Sequence, residues 1–249
     1  MAIPSSGRPS QSSGRPQFIV SGSLKWTDIA DPTADDAAIL GREYGFHPLD
    51  LQDCLSGKVT KVEDHGEHVF LLLHFPEEDG VGMVTPNRVS IFLGKDYIVT
   101  LHSGNLAPLA QLFASCRDDA EKRASIMKSS TYVAYRTIDA LVGGIFTILD
   151  DVQGELDEIE LVVFDETKSQ AAPINHARHQ LATLGRILFP LRLYLPDLAK
   201  AQKFSSEDLT LFFSDLNHKV TLASGTMDEM KELLEIYKDT DFVTSSNRT

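Results

Sequence analysis

Cysteine is nearly absent. The two that occur in 249 residues, Cys54 and Cys116, make no CxxC pair. This excludes a disulfide framework and a thiolate zinc site, and it fits reduced thiols in a cytosolic setting. Long apolar runs are missing too. The longest, 69–73, is far short of the roughly 20 residues a membrane span needs. The amino-terminus repeats Ser-Ser-Gly-Arg-Pro without an apolar core behind it, so it is no secretory signal, and residues 1–16 read as a flexible tail. Basic residues are in deficit, with 23 Lys and Arg against 36 Asp and Glu and a net charge of −13. That balance repels phosphates and excludes a nucleic-acid partner. It suits divalent metal cations, or solubility alone.

Catalytic signatures are lacking as well. Gly57-Lys58 has no upstream glycine at P-loop spacing, Gly-Val-Gly at 80–82 is a lone GxG, and neither GxSxG nor HExxH occurs. No nucleophile, base and orienting residue fall together, so an enzyme is not expected.

What is present is helical periodicity. Leu209, Phe213, Leu216, Val220, Ala223, Met227, Met230, Leu234 and Tyr237 recur at alternating steps of 4 and 3, the seam of a helix that packs lengthwise on others. Ser205-Ser206-Glu207-Asp208 supplies a cap and first-turn acids, so the spacing predicts a stalk helix over 205–249. The next seam position is Asp241, where the pattern breaks, and the chain stops without a capping glycine, as though its continuation were missing. Two further helices precede it. One, at 130–166, carries Ile138, Leu141, Ile145, Ile148, Val152, Ile159 and Val163; the other starts at Pro173, carries Ala177, Leu181, Leu184, Leu188, Leu191, Leu195 and Leu198, and is kinked or ended by Pro190 and Pro196. Three such helices form a bundle with apolar seam left over for other copies of the chain, so a homo-oligomer is expected.

Upstream, 17–128 reads as mixed α/β. Strands are expected at 17–20, 24–28, 59–64, 68–75, 88–93 and 97–102, the last four as antiparallel neighbours. Thr33 and Gly45 bracket a helix, His47-Pro48 opens a second short one to Leu55, and 107–114 forms a third against the sheet. The fold class is therefore α+β: a mixed-sheet domain at 17–128, a helical hairpin at 129–204 and the stalk at 205–249.

Eight acids lie between Asp150 and Glu166 with no Lys or Arg among them: Asp150, Asp151, Glu155, Asp157, Glu158, Glu160, Asp165 and Glu166. Such a run is a solvated face or a cation-attracting one. His176 and His179, one turn apart, form either a surface pair or half of a zinc site, while His65 and His68 straddle a turn and read as structural.

Taken in order, Trp26-Thr27-Asp28, Gly45-Phe46-His47-Pro48-Leu49 with Gln52-Asp53, Lys61-Val62-Glu63, Ile138-Asp139-Ala140-Leu141, Phe189-Pro190-Leu191-Arg192, Phe213-Ser214-Asp215 and Ser246-Asn247-Arg248-Thr249 resemble the cytoplasmic domain of CorA-type magnesium and cobalt channels. The resemblance covers 24–249. It implies an α/β/α domain, two "willow" helices at about 130–166 and 173–199, a stalk lining a five-fold funnel, and two membrane helices that would follow Thr249. The chain then reads as the soluble, cytoplasmic-side fragment of a homopentamer that passes Mg²⁺ or Co²⁺. The resemblance also implies regulatory Mg²⁺ between neighbouring subunits, with Asp53 and Asp215 as matching positions and Asp139 as a second-site contributor. Gln52 stands where some relatives carry Glu, which removes one formal charge there. Two other readings stay open, a ZntB-like zinc transporter and a soluble helical oligomerisation module.

Overall fold

The computed structural model describes residues 16–80, 82–103, 106–164 and 170–246. The tail before Pro16, the acids Asp165 and Glu166, and Asn247-Arg248-Thr249 lie outside the described residues.

The chain runs β1 (Gln17–Ser21), β2 (Leu24–Ala30), α1 (Ala34–Tyr44), α2 (Pro48–Ser56), β3 (Lys61–Asp64), β4 (His68–Glu78), β5 (Val84–Gly94) and β6 (Tyr97–His102). Helices follow: α3 (Ala107–Asp118), α4 (Ala120–Ile126), α5 (Ser130–Val163), α6 (Ala171–Tyr194), a 3-10 segment (Leu195–Phe204) and α7 (Thr210–Ser246). One six-stranded sheet has the order β1-β2-β6-β5-β4-β3. β3 to β6 form the expected antiparallel meander, and β2 joins its edge parallel to β6, with Lys25 opposite Tyr97.

Side chains alternate across a strand, and β4 is covered on both faces. Phe70 and Leu72 pack with Leu40, Phe46 and Cys54 beneath α1 and α2. Val69, Leu71 and Leu73 face the other way and share one core with α3, α5, α6 and α7. The longest apolar run is thus a strand buried between two layers of helices, and the architecture is α/β/α.

Local signals hold where they are strong. Thr33 caps α1, its hydroxyl accepting the Asp36 N–H while the Asp36 carboxylate accepts from the Thr33 backbone, and Gly45 ends that helix at φ +69°. His47 accepts the Leu49 N–H and Pro48 opens α2. α6 carries Pro190 inside it and tightens into the 3-10 segment at Pro196.

The stalk departs from expectation in two ways. α7 begins at Thr210, not Ser205, and Asp208 Oδ1 accepts the Thr210 N–H at 3.0 Å. Its 37 residues make a rod of about 55 Å. The nine seam residues are all buried within the chain. Asp241 does not break the seam: buried, it accepts the backbone N–H of Gln170, the cap residue of α6, at 2.8 Å. A carboxylate at a helix N-terminus meets unsatisfied N–H groups and the positive end of the helix dipole. A second, exposed apolar row remains on α7 at Leu211, Leu222 and Leu233, and steps of eleven return to about the same side of a helix.

Among the described residues one helix, α5, has an 18-residue window apolar enough to cross a membrane. Ile138, Leu141, Val142, Ile145, Leu149 and Val152 spend that apolar character on the shared core.

Candidate functional site

The acids singled out in the sequence fall into three groups, and the structure gives each a different electrostatic setting. Asp53, on α2, stands 36% exposed with Oδ2 2.9 Å from Lys61 Nζ. Lys61 comes from the neighbouring edge strand β3 and also reaches Asp50 Oδ1 at 3.0 Å and Glu63 Oε1 at 3.2 Å. Burial pulls the Lys61 ammonium down, but its hydrogen bonds to Asp53, Asp50 and Glu63 outweigh that and hold it above the ordinary lysine range. The ammonium is a permanent counterion at this cluster.

Asp215 lies on α7 beside the buried Leu216 and is 49% exposed. Its Oδ2 is 2.7 Å from Lys219 Nζ, one helical turn on, and the same ammonium lies 2.7 Å from Asp139 Oδ1 on α5. The hydrogen bond to Asp139, then that to Asp215, raises the Lys219 ammonium above its usual range. The structure therefore brings Asp139 and Asp215 together, through a lysine. Asp53 belongs to a separate network, and among the described residues no hydrogen bond or ion pair joins it to either of them.

The acidic stretch of α5 divides the same way. Asp150, Asp151, Asp157, Glu158 and Glu160 are exposed, while Val152, Leu156 and Ile159 between them point into the core. Glu155 leaves the exposed set, because it ties α5 to α6: Oε2 is 3.1 Å from His176 Nδ1, and Oε1 accepts from Gln180 Nε2 at 2.9 Å. His176 thus engages a carboxylate of the neighbouring helix.

What sequence reasoning missed are the lysines. Lys219, four residues after Asp215 on a helix, was detectable by spacing. Lys61 was not, because strand pairing brings it to α2. Asp50 was also passed over; at the third position of α2 it points inward and is 1% exposed.

Comparison with known proteins gives a consistent picture. A family model described as "CorA-like Mg2+ transporter protein" matches residues 21–249. The cobalt/magnesium transport protein CorA of Thermotoga maritima is 24% identical over 247 residues, covering 97% of this chain and 67% of that protein. The soluble domain of CorA from Methanocaldococcus jannaschii superposes with a TM-score of 0.76 at 19% identity, covering 89% of each chain. The ZntB cytoplasmic domain from Vibrio parahaemolyticus gives 0.62 at 14% identity, over 90% of this chain and 86% of the other.

Proposed function

The chain belongs to the CorA-like Mg²⁺ transporter family, a family of transporters rather than enzymes, and from that premise we propose that it is the cytoplasmic, cation-sensing part of a divalent metal transporter. In this reading Asp53 of one copy and Asp215 of the next hold Mg²⁺ between them and favour the closed assembly. The observation that carries it is the state of the two carboxylates. Each stands partly exposed, at 36% and 49%, with Oδ2 on a lysine and with Oδ1 free of hydrogen bonds inside the chain, among the described residues. Mg²⁺ keeps most of its waters and needs only one or two carboxylates. When bound it supplies the charge that offsets carboxylate repulsion between copies.

Asp139 is the weaker contributor, since it shares Lys219 with Asp215 but is only half as exposed, 24% against 49%. Asp150, Asp151, Asp157, Glu158 and Glu160 act as the cation-attracting face. The name of the Thermotoga relative supports Co²⁺ as a second ion. The exposed row Leu211, Leu222 and Leu233 supports contact between stalks in a homopentameric funnel, with 17–128, 129–204 and 205–249 as its working units. The membrane part would join at the foot of the stalk. The zinc-transporter alternative rests on a weaker fold match, 0.62 against 0.76.

Sedimentation velocity and thermal melts across 0 to roughly 20 mM Mg²⁺ test the proposal. The wild type should assemble and gain stability, with Asp215→Ala and Asp53→Ala responding less. Equal responses in all three would remove these residues from the sensor, and assembly indifferent to Mg²⁺ would favour the oligomerisation module.

A further inference from the structure

Where α2 meets the β3–β4 hairpin, three side chains with metal-binding atoms converge away from Asp53 and Asp215. Gly66, at φ +84°, lets the chain reverse, and the His65 N–H donates to the His68 carbonyl at 2.9 Å. The reversal brings the two imidazoles together, with ring centroids 4.9 Å apart. Asp50 adds a carboxylate from α2, its Oδ2 2.8 Å from His65 Nε2. One ligand-capable atom from each of the three lies within 4.8 Å of the others.

The cluster is under-satisfied for a buried polar group. His68 is 8% exposed and its Nε2 has no hydrogen-bond partner. Asp50 Oδ2 is close to His65 but lacks an aligned hydrogen bond. A buried polar atom left unpaired costs about 1–3 kcal/mol. Burial, then the adjacent His65, holds the His68 imidazole below its usual range, so its lone pair is available at neutral pH. Lys61 engages only Oδ1 of Asp50, at 3.0 Å, and is held also by Asp53 and Glu63, at 2.9 and 3.2 Å. Oδ2 is left on the histidine side.

We propose that Asp50, His65 and His68 bind one borderline divalent transition-metal ion, of the Zn²⁺ or Co²⁺ class, through two imidazole nitrogens and one carboxylate oxygen. Such a donor set suits these ions, whereas Mg²⁺ takes oxygen ligands in an octahedron. A four-coordinate ion with bonds of about 2.0–2.1 Å holds its ligand atoms about 3.4 Å apart. Binding therefore draws the three inward, and His65, on the exposed turn, is the side chain with room to move. Its exposure also leaves a fourth position open to water. His47 stays outside the set: its Nδ1 is committed to the Leu49 N–H, and its ring centroid is 6.3 Å from that of His65.

The test is Co²⁺ titration of the metal-free, tag-free chain, followed by visible absorption, with Zn²⁺ displacement and a large excess of Mg²⁺ present throughout. The expected result is one Co²⁺ per chain with intense visible bands that Zn²⁺ abolishes and Mg²⁺ does not. His65→Gln, at the exposed turn, should weaken binding by roughly tenfold or more with the circular dichroism spectrum unchanged, and His68→Asn and Asp50→Asn should do the same where they fold. The pair His176→Ala/His179→Ala should bind like the wild type. Failure of Co²⁺ to bind, binding that survives His65→Gln, or binding lost in the His176/His179 variant would each overturn the assignment.

Discussion

Replacing Lys219 by Met tests whether a tethered ammonium occupies a position that a free cation could fill. Asp139 Oδ1 and Asp215 Oδ2 each lie 2.7 Å from Lys219 Nζ, so they are at most about 5.4 Å apart. Two negative charges roughly 5 Å apart repel by about 1 kcal/mol in water and about 3 kcal/mol at an effective dielectric of about 20. Asp215 is half exposed, which pulls the value towards the lower figure. A net loss of about 1–2 kcal/mol should lower the Tm by about 2–8 °C for a chain of this size. Mg²⁺ should then restore the variant. With a Kd of about 1 mM, about 20 mM ligand returns about 1.8 kcal/mol by mass action. Differential scanning calorimetry at matched ionic strength should show a larger Mg²⁺-induced rise in Lys219→Met than in the wild type. Adding Asp139→Asn should abolish the excess. If the variant gains no more from Mg²⁺ than the wild type, the lysine is not standing in for a cation and the reasoning fails.

Lys61→Met strands the buried Asp50 carboxylate without its counterion, a class of change that costs about 3–5 kcal/mol; urea unfolding should show it, with Lys61→Met/Asp50→Leu recovering much of the loss. Burial pushes the Cys54 thiol up to about 12, so it stays protonated at neutral pH; iodoacetamide at neutral pH should modify it only after unfolding, and mass spectrometry of the native chain should find it intact. Asp241→Ala removes the acceptor of the Gln170 N–H; a loss of about 1–2 kcal/mol should appear as faster amide exchange in the first turn of α6, with the turns around Lys219 unaffected.

The long helices were legible because their apolar residues keep one period from end to end, and every position so picked on α5, α6 and α7 is buried. Thr33 and Gly45 were legible for a different reason: a cap acts within a few residues. The start of α7 was not. Ser205 and Ser206 are good caps locally, but Gln202 accepts the Leu209 N–H at 3.0 Å and donates to the Glu207 carbonyl at 2.6 Å, holding the segment out of the helix until Thr210. The parallel docking of β2 on β6 escaped for a similar reason, since nothing in either strand names a partner some seventy residues away. The candidate site was half legible. The family resemblance pointed to Asp53, Asp139 and Asp215, but neither it nor periodicity could show that Lys61 and Lys219 already neutralise them, nor that Asp50 points inward towards His65.

The two polar ties on α7, Lys219 to Asp139 and Asp241 to Gln170, lie 22 residues apart, roughly six turns. One fastens α7 to α5 and the other fastens it to the cap of α6. A rod pinned at two levels to two different neighbours cannot spin about its own axis or slide by a turn without breaking both ties. Torque applied at its foot must therefore tilt the whole helical body as one strut, and in the sensor proposed above a rearrangement between copies would rock entire chains rather than turn a single helix.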